Sequence, residues 1–293
     1  MTHFPLTSTL KSSPGTLGRS VLVAIYRKPT VFLGALLILA ALAAALFAPY
    51  LAPYDPEAFA VGPVLSAPQP GYWFGTDEFG RDMVSRIIWG ARETLLVGLL
   101  AVSISLGFGL TFGLLAAYLG GWIEKLFMRM LDVLFSFTEI LIALACVAIL
   151  GPSLINATIA VGIAGIPVYG RMTYSLVLVE RNKPYIESCR AMGAGHVRII
   201  LRHLIPNITP SLIVVGTIGI STAILAASGL SFLGLGAQPP SSEWGAVLAG
   251  ARDYFSTAPW LLLFPGLAIT LVVLGFNLLG DGVRQMLDPK QNK

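Results

Sequence analysis

Charge is scarce in this sequence. Only 12% of its residues are Asp, Glu, Lys or Arg, where a soluble domain carries about 25%. An ordinary water-soluble globule is excluded, and the 55% hydrophobic share and the mean hydropathy of +0.78 agree. Histidine is scarcer still: His3, His196 and His203 are the whole supply, and none falls in an apolar run. A metalloprotease helix of the H-E-x-x-H type is therefore excluded, and an intramembrane serine nucleophile would lack its base. The nearest serine signature, GISTA at 219–223, also lacks its final glycine. No lysine follows a glycine, so the G-x-x-x-x-G-K-[ST] phosphate loop is missing and the chain does not bind ATP by that route. A repeated charged or carbonyl-lined filter, which an autonomous channel needs, is missing too.

What is present is apolar length, and a spanning helix needs about 20 such residues. The first run is 31–48, flanked by Arg27 and Lys28 before it and by Pro49 and Pro53 after it. It starts too late and runs too long for a cleaved signal peptide, so it is expected to stay. Further spans are expected within 95–119, 133–150, 154–174, 210–235 and 259–280, six in all. Basic residues accumulate on the cytoplasmic side of a membrane. With the N-terminus inside, fifteen of the 19 Lys and Arg fall in cytoplasmic segments, while Arg81, Arg86, Arg92 and Arg252 fall outside. Both termini are then cytoplasmic. The same asymmetry accounts for the net charge of +4 without any nucleic-acid partner. Cys146 lies in the third span and Cys189 in a cytoplasmic segment, so they are not expected to pair.

That segment reads PYIESCRAMGAGHVRIILRHLIPN from residue 184. Asn182 suits an N-cap and Pro184 a first turn, so a short helix is expected to Met192, ending at Gly193 and Gly195. A second helix follows, in which Val197, Ile200, Leu201 and Leu204 form one apolar stripe and which Pro206 ends. His196 and His203, seven apart, are a weak metal pair without a third ligand and are read as solvated. The first helix offers Glu187, Ser188, Cys189, Arg190 and Ala191 to a partner, with Gly193 at the bend. An amphipathic pair lying at the lipid interface is the alternative.

The pattern E-S-C-x3-G followed by Pro206 resembles the coupling loop of the membrane subunits of bacterial binding-protein-dependent ABC importers. Glu187, Gly193 and Pro206 match; Ser188 and Cys189 stand at two alanine positions, and His203 and Ile205 depart from the pattern. FGTDEFGRDMVSR at 74–86, LSFLGLGAQPPSSEWG at 230–245 and FNLLGDGVRQMLDPK at 276–290 resemble the dipeptide, oligopeptide, glutathione and nickel branch, and within it the second of two paired permeases. The resemblance covers about 31–290.

It implies an all-α integral membrane protein of the type I ABC importer permease fold, with six transmembrane helices. A cytoplasmic tail (1–30) and first helix (31–48) precede an extracytoplasmic segment (49–93). A permease core with five spans follows (94–281), carrying the coupling loop at 175–207, and then a C-terminal tail (282–293). The implied partners are a homologous second permease, two ATP-binding subunits that use the ATP, an extracytoplasmic substrate-binding protein and the lipid bilayer of a bacterial inner membrane. No cofactor is bound by this chain, and no catalytic or metal site is expected. Short peptides or glutathione are the expected cargo, with nickel as the alternative. GTDEFGRD is read as a positional external turn, GAQPPSSEWG as a rigid one, and Asp281, Arg284 and Asp288 as able to pair at helical spacing. Glu139 in the third span, with Ser221 and Thr222, are candidates for lining the path.

Overall fold

The computed structural model describes residues 29–287. The tail at 1–28 and the residues from Asp288 on, with the basic residues counted there, lie outside the described residues. The described chain is helical. Helix α1 (Pro29–Leu46) is followed by the short α2 (Ala48–Leu51) and a long irregular segment, then by α3 (Met83–Leu119), α4 (Gly121–Phe135), α5 (Glu139–Leu150) and α6 (Leu154–Arg181). The short α7 (Pro184–Ala191) and α8 (His196–Ile199) lead through a π turn (Ile200–Leu204) into α9 (Ile205–Phe232). The small α10 (Trp244–Gly250) and the long α11 (Trp260–Leu287) complete it.

Five of these helical runs are long and apolar enough to cross a membrane, and a sixth span exists where α4 and α5 count as one. The third span is thus not the straight helix expected over 133–150. It breaks at residues 136–138 and bends by 91°. The second span is longer than expected and starts within the segment assigned to the exterior. Asp82 caps it, accepting hydrogen bonds from the Ser85 backbone N–H and hydroxyl, each at 2.8 Å.

Helices α3 and α6 form the main packed pair, through small residues. A Cβ on Gly109 would stand 2.6 Å from Tyr169 Cβ, and one on Gly162 2.8 Å from Ile104 Cβ. Close approach of this kind is how helices associate in lipid, where burial of apolar surface gives little drive. The Ser105 hydroxyl, buried in the seam, donates to the Gly162 carbonyl at 2.6 Å. At one end of this pair, the ends of α3 and α6 share an apolar cluster with the α7 to α9 segment. At the other end the irregular 52–82 segment covers the start of α3 and the stretch around α10.

Candidate functional site: a projecting helix and a latched loop

The α7 helix stands out from the bundle on a fixed footing. Arg181, the last residue of α6, donates to the Ala117 carbonyl at the end of α3. Glu180 accepts from Lys183 Nζ and from the Tyr185 hydroxyl, both at 2.6 Å. Burial, together with this hydrogen bond, pushes the Tyr185 hydroxyl pKa up. Lys183, and not Asn182, occupies the N-cap position, and no side chain caps the helix; Pro184 sits in its first turn. Asn182 instead ends α6. The anchor is Ile186, which is fully buried among Leu114, Val177, Ile199, Leu204 and Ile208.

The end of α7 is as well defined. Ala194 N–H bonds the Cys189 carbonyl at 3.0 Å and Gly193 N–H bonds the Arg190 carbonyl at 2.9 Å, the paired bonds of a Schellman cap. Gly193 has φ +80°, a conformation that costs a side-chain-bearing residue and costs glycine nothing. Glu187, Ser188, Arg190, Ala191 and Gly193 are exposed. Cys189 is half-buried and turns inward, its Sγ 3.8 Å from His203 Nε2.

The return leg departs from expectation in three ways. Pro206 does not end a helix. The π turn at Ile200–Leu204 precedes it, Ile205 N–H reaches back to the Ile200 carbonyl, and α9 continues through Pro206 and Pro210. That wider turn also shifts the apolar stripe. Leu204 is buried as expected, but its buried companions are Ile199, five residues before it, and Ile208 and Leu212 after it, whereas Val197 and Leu201 are exposed. The histidines do not converge on one site and are not simply solvated. His196 Nδ1 pairs with the Tyr118 hydroxyl at 2.8 Å, and His203 faces Cys189. Arg190 Cζ lies 5.9 Å from the Tyr118 ring centroid. Tyr118 therefore serves both legs from α3, and nothing in the local spacing announced it.

At the opposite end, GTDEFGRD is not a solvated turn. Asp77, Arg81, Asp82 and Arg86 are all buried. Asp77 Oδ2 accepts from Arg81 Nε at 2.6 Å and Arg86 Nη1 at 2.7 Å, and Oδ1 accepts from the Phe79 and Arg81 backbone at 2.9 Å. Arg86 Nη2 then reaches the Ser241 carbonyl at 3.1 Å, and the Ser241 hydroxyl donates to Glu93 at 2.5 Å. Glu243 caps α10 through Gly245 and Ala246 N–H and accepts from Ser228 at 3.0 Å. Burial raises the Glu243 carboxyl pKa. Two motifs some 150 residues apart are thus one latch. The sequence signal was the pair of arginines following the acids in an otherwise charge-poor chain.

The remaining candidates separate. Glu139 is the first residue of α5, directly after the break, and is exposed. Thr222 is exposed on α9, bonded to its own helix at Gly219. Ser221 is buried, donating to the Ile218 carbonyl and standing 3.1 Å from Asn277 Oδ1 on α11. Asp281 and Arg284 form no ion pair among the described residues, and Asp288 lies outside them.

Residues 109–293 match the family model described as binding-protein-dependent transport system inner membrane component. The chain is 47% identical over 257 residues to the dipeptide transport system permease protein DppC of Alkalihalophilus pseudofirmus, covering 88% of this chain and 84% of that protein. It is 47% identical to the di/tripeptide transport system permease protein DppC of Pseudomonas aeruginosa, covering 88% and 87%. It is 46% identical to the glutathione transport system permease protein GsiD of Pectobacterium atrosepticum, covering 87% and 85%. Among solved structures, inward-facing conformations of the MetNI methionine ABC transporter are similar with a TM-score of 0.57. The identity is 20%, and the match covers 70% of this chain and 98% of that chain. At that identity the likeness concerns the fold.

Proposed function

The chain belongs to the family of binding-protein-dependent transport system inner membrane components, and on that premise we propose that it is the second of two paired permeases in an importer of short peptides. As an ABC importer permease it is a multi-pass membrane subunit that works with a partner permease, ATPase subunits and a binding protein. We place it in a bacterial inner membrane with α7 on the cytoplasmic side. The dipeptide, di/tripeptide and glutathione permeases it resembles support a di- or tripeptide cargo, with glutathione inside the same class. Nickel is not favoured by those relatives.

The observation that carries the reading is the footing of α7. A helix offering Glu187, Ser188, Arg190 and Ala191 to a partner, with Ile186 set into the core that joins α3, α6 and α9, passes a push or pull directly to three spans. ATP closure in the partner subunits would move that core as a body. A floppy interfacial helix would not.

The test is reconstitution of both permeases and the ATPases in liposomes, with loaded binding protein outside. Gly193→Val forces a β-branched residue to φ +80° and turns the tip, and Glu187→Lys reverses a charge facing the ATPase. Both variants are expected to bind the binding protein, to lose peptide uptake and to lose stimulation of ATP hydrolysis by it. Wild-type stimulation in both would remove the coupling role. Nickel uptake exceeding that of di- and tripeptides in the unaltered complex would remove the cargo assignment.

A further inference from the structure

The first and last spans are pressed together at one end. A Cβ on Gly34 would lie 2.8 Å from Leu278 Cβ, and one on Gly275 3.1 Å from Ile38 Cγ1. Toward the other end of α1 the packing is incomplete, and a groove of about 560 Å³ lies between α1 and α3. Its walls include Leu42, Leu46, Leu95 and Leu99, with Phe276 of α11 behind. The lining holds a single charged residue, Arg92.

Arg92 makes no hydrogen bond or ion pair among the described residues. Its neighbour Glu93 points elsewhere and is taken by the Ser241 hydroxyl at 2.5 Å, so no carboxylate among the described residues pairs with the guanidinium. Its level in the membrane is marked by neighbouring residues. Helix α3 begins at Met83 beneath the latched loop, and α1 ends at Leu46 followed by exposed Phe47 and by Tyr50, which is 87% exposed. Aromatic residues of this kind mark the boundary of hydrocarbon and headgroups. From Arg92 the groove runs inward to Leu99 on one wall and from Leu46 to Ile38 on the other, about 10 to 12 Å of depth at 1.5 Å per residue.

A cation at headgroup level with an apolar furrow beneath it has the shape and charge pattern of one lipid. We propose that this groove seats an anionic phospholipid, its phosphodiester on Arg92 and the upper part of an acyl chain along Leu42, Leu95 and Leu99. Transfer of the chain from bulk lipid contributes little, because both surroundings are apolar. Selectivity for this molecule over its neighbours comes from the charge contact and from packing into a fixed furrow. A snorkelling Arg92 without a lipid partner would carry no preference among headgroups, and that difference is measurable.

The experiment uses the assembled importer, stripped of lipid and returned to nanodiscs of equal phosphatidylglycerol and phosphatidylethanolamine. Lipid retained after mild re-extraction is read by native mass spectrometry. The unaltered complex is expected to keep phosphatidylglycerol selectively. Arg92→Gln is expected to lower that preference about fivefold, corresponding to the roughly 1 kcal/mol that one basic group contributes at a membrane surface. Arg92→Lys is expected to retain most of it, which a folding defect would not allow. Leu99→Trp, filling the deep end, is expected to reduce retention of both lipids. Equal retention of the two lipids by the unaltered complex and all three variants overturns the proposal. So does efficient cross-linking of a cysteine at Leu96 to the second permease in native membranes, since a protein would then fill the groove.

Discussion

Asp77 serves four donors with two oxygens, and its exchange for asparagine separates the two jobs. Asparagine keeps the shape but offers one acceptor and one N–H2 group. Either the backbone donors of Phe79 and Arg81 or the guanidinium groups of Arg81 and Arg86 then face a donor. Buried Arg86 also loses its counter-charge, and Arg81 keeps only Glu78 at 3.7 Å. Removing one partner of a buried ion pair costs about 3–5 kcal/mol, so Asp77→Asn is expected to lower the thermal midpoint in detergent and to open the loop to protease between 55 and 74. An unchanged midpoint together with a resistant loop would mean that the latch is held by something other than this carboxylate. On the sequence alone these residues read as an external turn, because the pairing of Arg86 with the Ser241 carbonyl crosses 155 positions and no local pattern encodes it.

The spans were legible because apolar length is a property of a stretch and needs no partner. The breaks were not. The third span bends at Ser136, Phe137 and Thr138, a stretch without glycine or proline and with an apolar run on either side. The return leg of the projecting segment failed in part for a related reason: Leu204 is buried as the stripe requires, but one turn of π geometry sets Ile199 beside it in place of Val197 and Leu201, and a 3.6-residue reading does not foresee the extra residue. The close helix pair can be tested directly. Gly109 of α3 would bring a Cβ to 2.6 Å from Tyr169, while Gly107, one half-turn away, would meet nothing within 4 Å. Gly107→Ala is expected to be neutral or to stabilise by up to about 1 kcal/mol through helix propensity. Gly109→Ala is expected to cost about 1–3 kcal/mol by forcing α3 and α6 apart. Thermal midpoints of the two variants in the same detergent decide it; equal midpoints would mean that the seam can relax.

For the molecule as a whole, the orientation proposed from the distribution of basic residues has α7 inside and the latched loop outside. Met192 and Trp73 are 78% and 76% exposed, at the tip of one and on the surface of the other. In a chain with Cys146 and Cys189 replaced, Trp73→Cys is expected to react with an impermeant maleimide on intact spheroplasts. Met192→Cys is expected to react only after the membrane is opened, and the reverse pattern would invert the topology. The bent third span then has a consequence for the bilayer itself. The 12 residues of α5 rise only about 18 Å, against a hydrocarbon thickness of about 30 Å, and α4 turns away at 91° instead of adding depth. A lipid annulus meeting this side would face a hydrophobic mismatch and a stretch of non-helical backbone that hydrocarbon does not solvate. The ring of lipid around the protein is therefore interrupted at the elbow. Exposed Phe135, Phe137, Ile140 and Leu141 are, on the proposed pairing, the face the partner permease would cover, with Glu139 beside whatever water that junction admits.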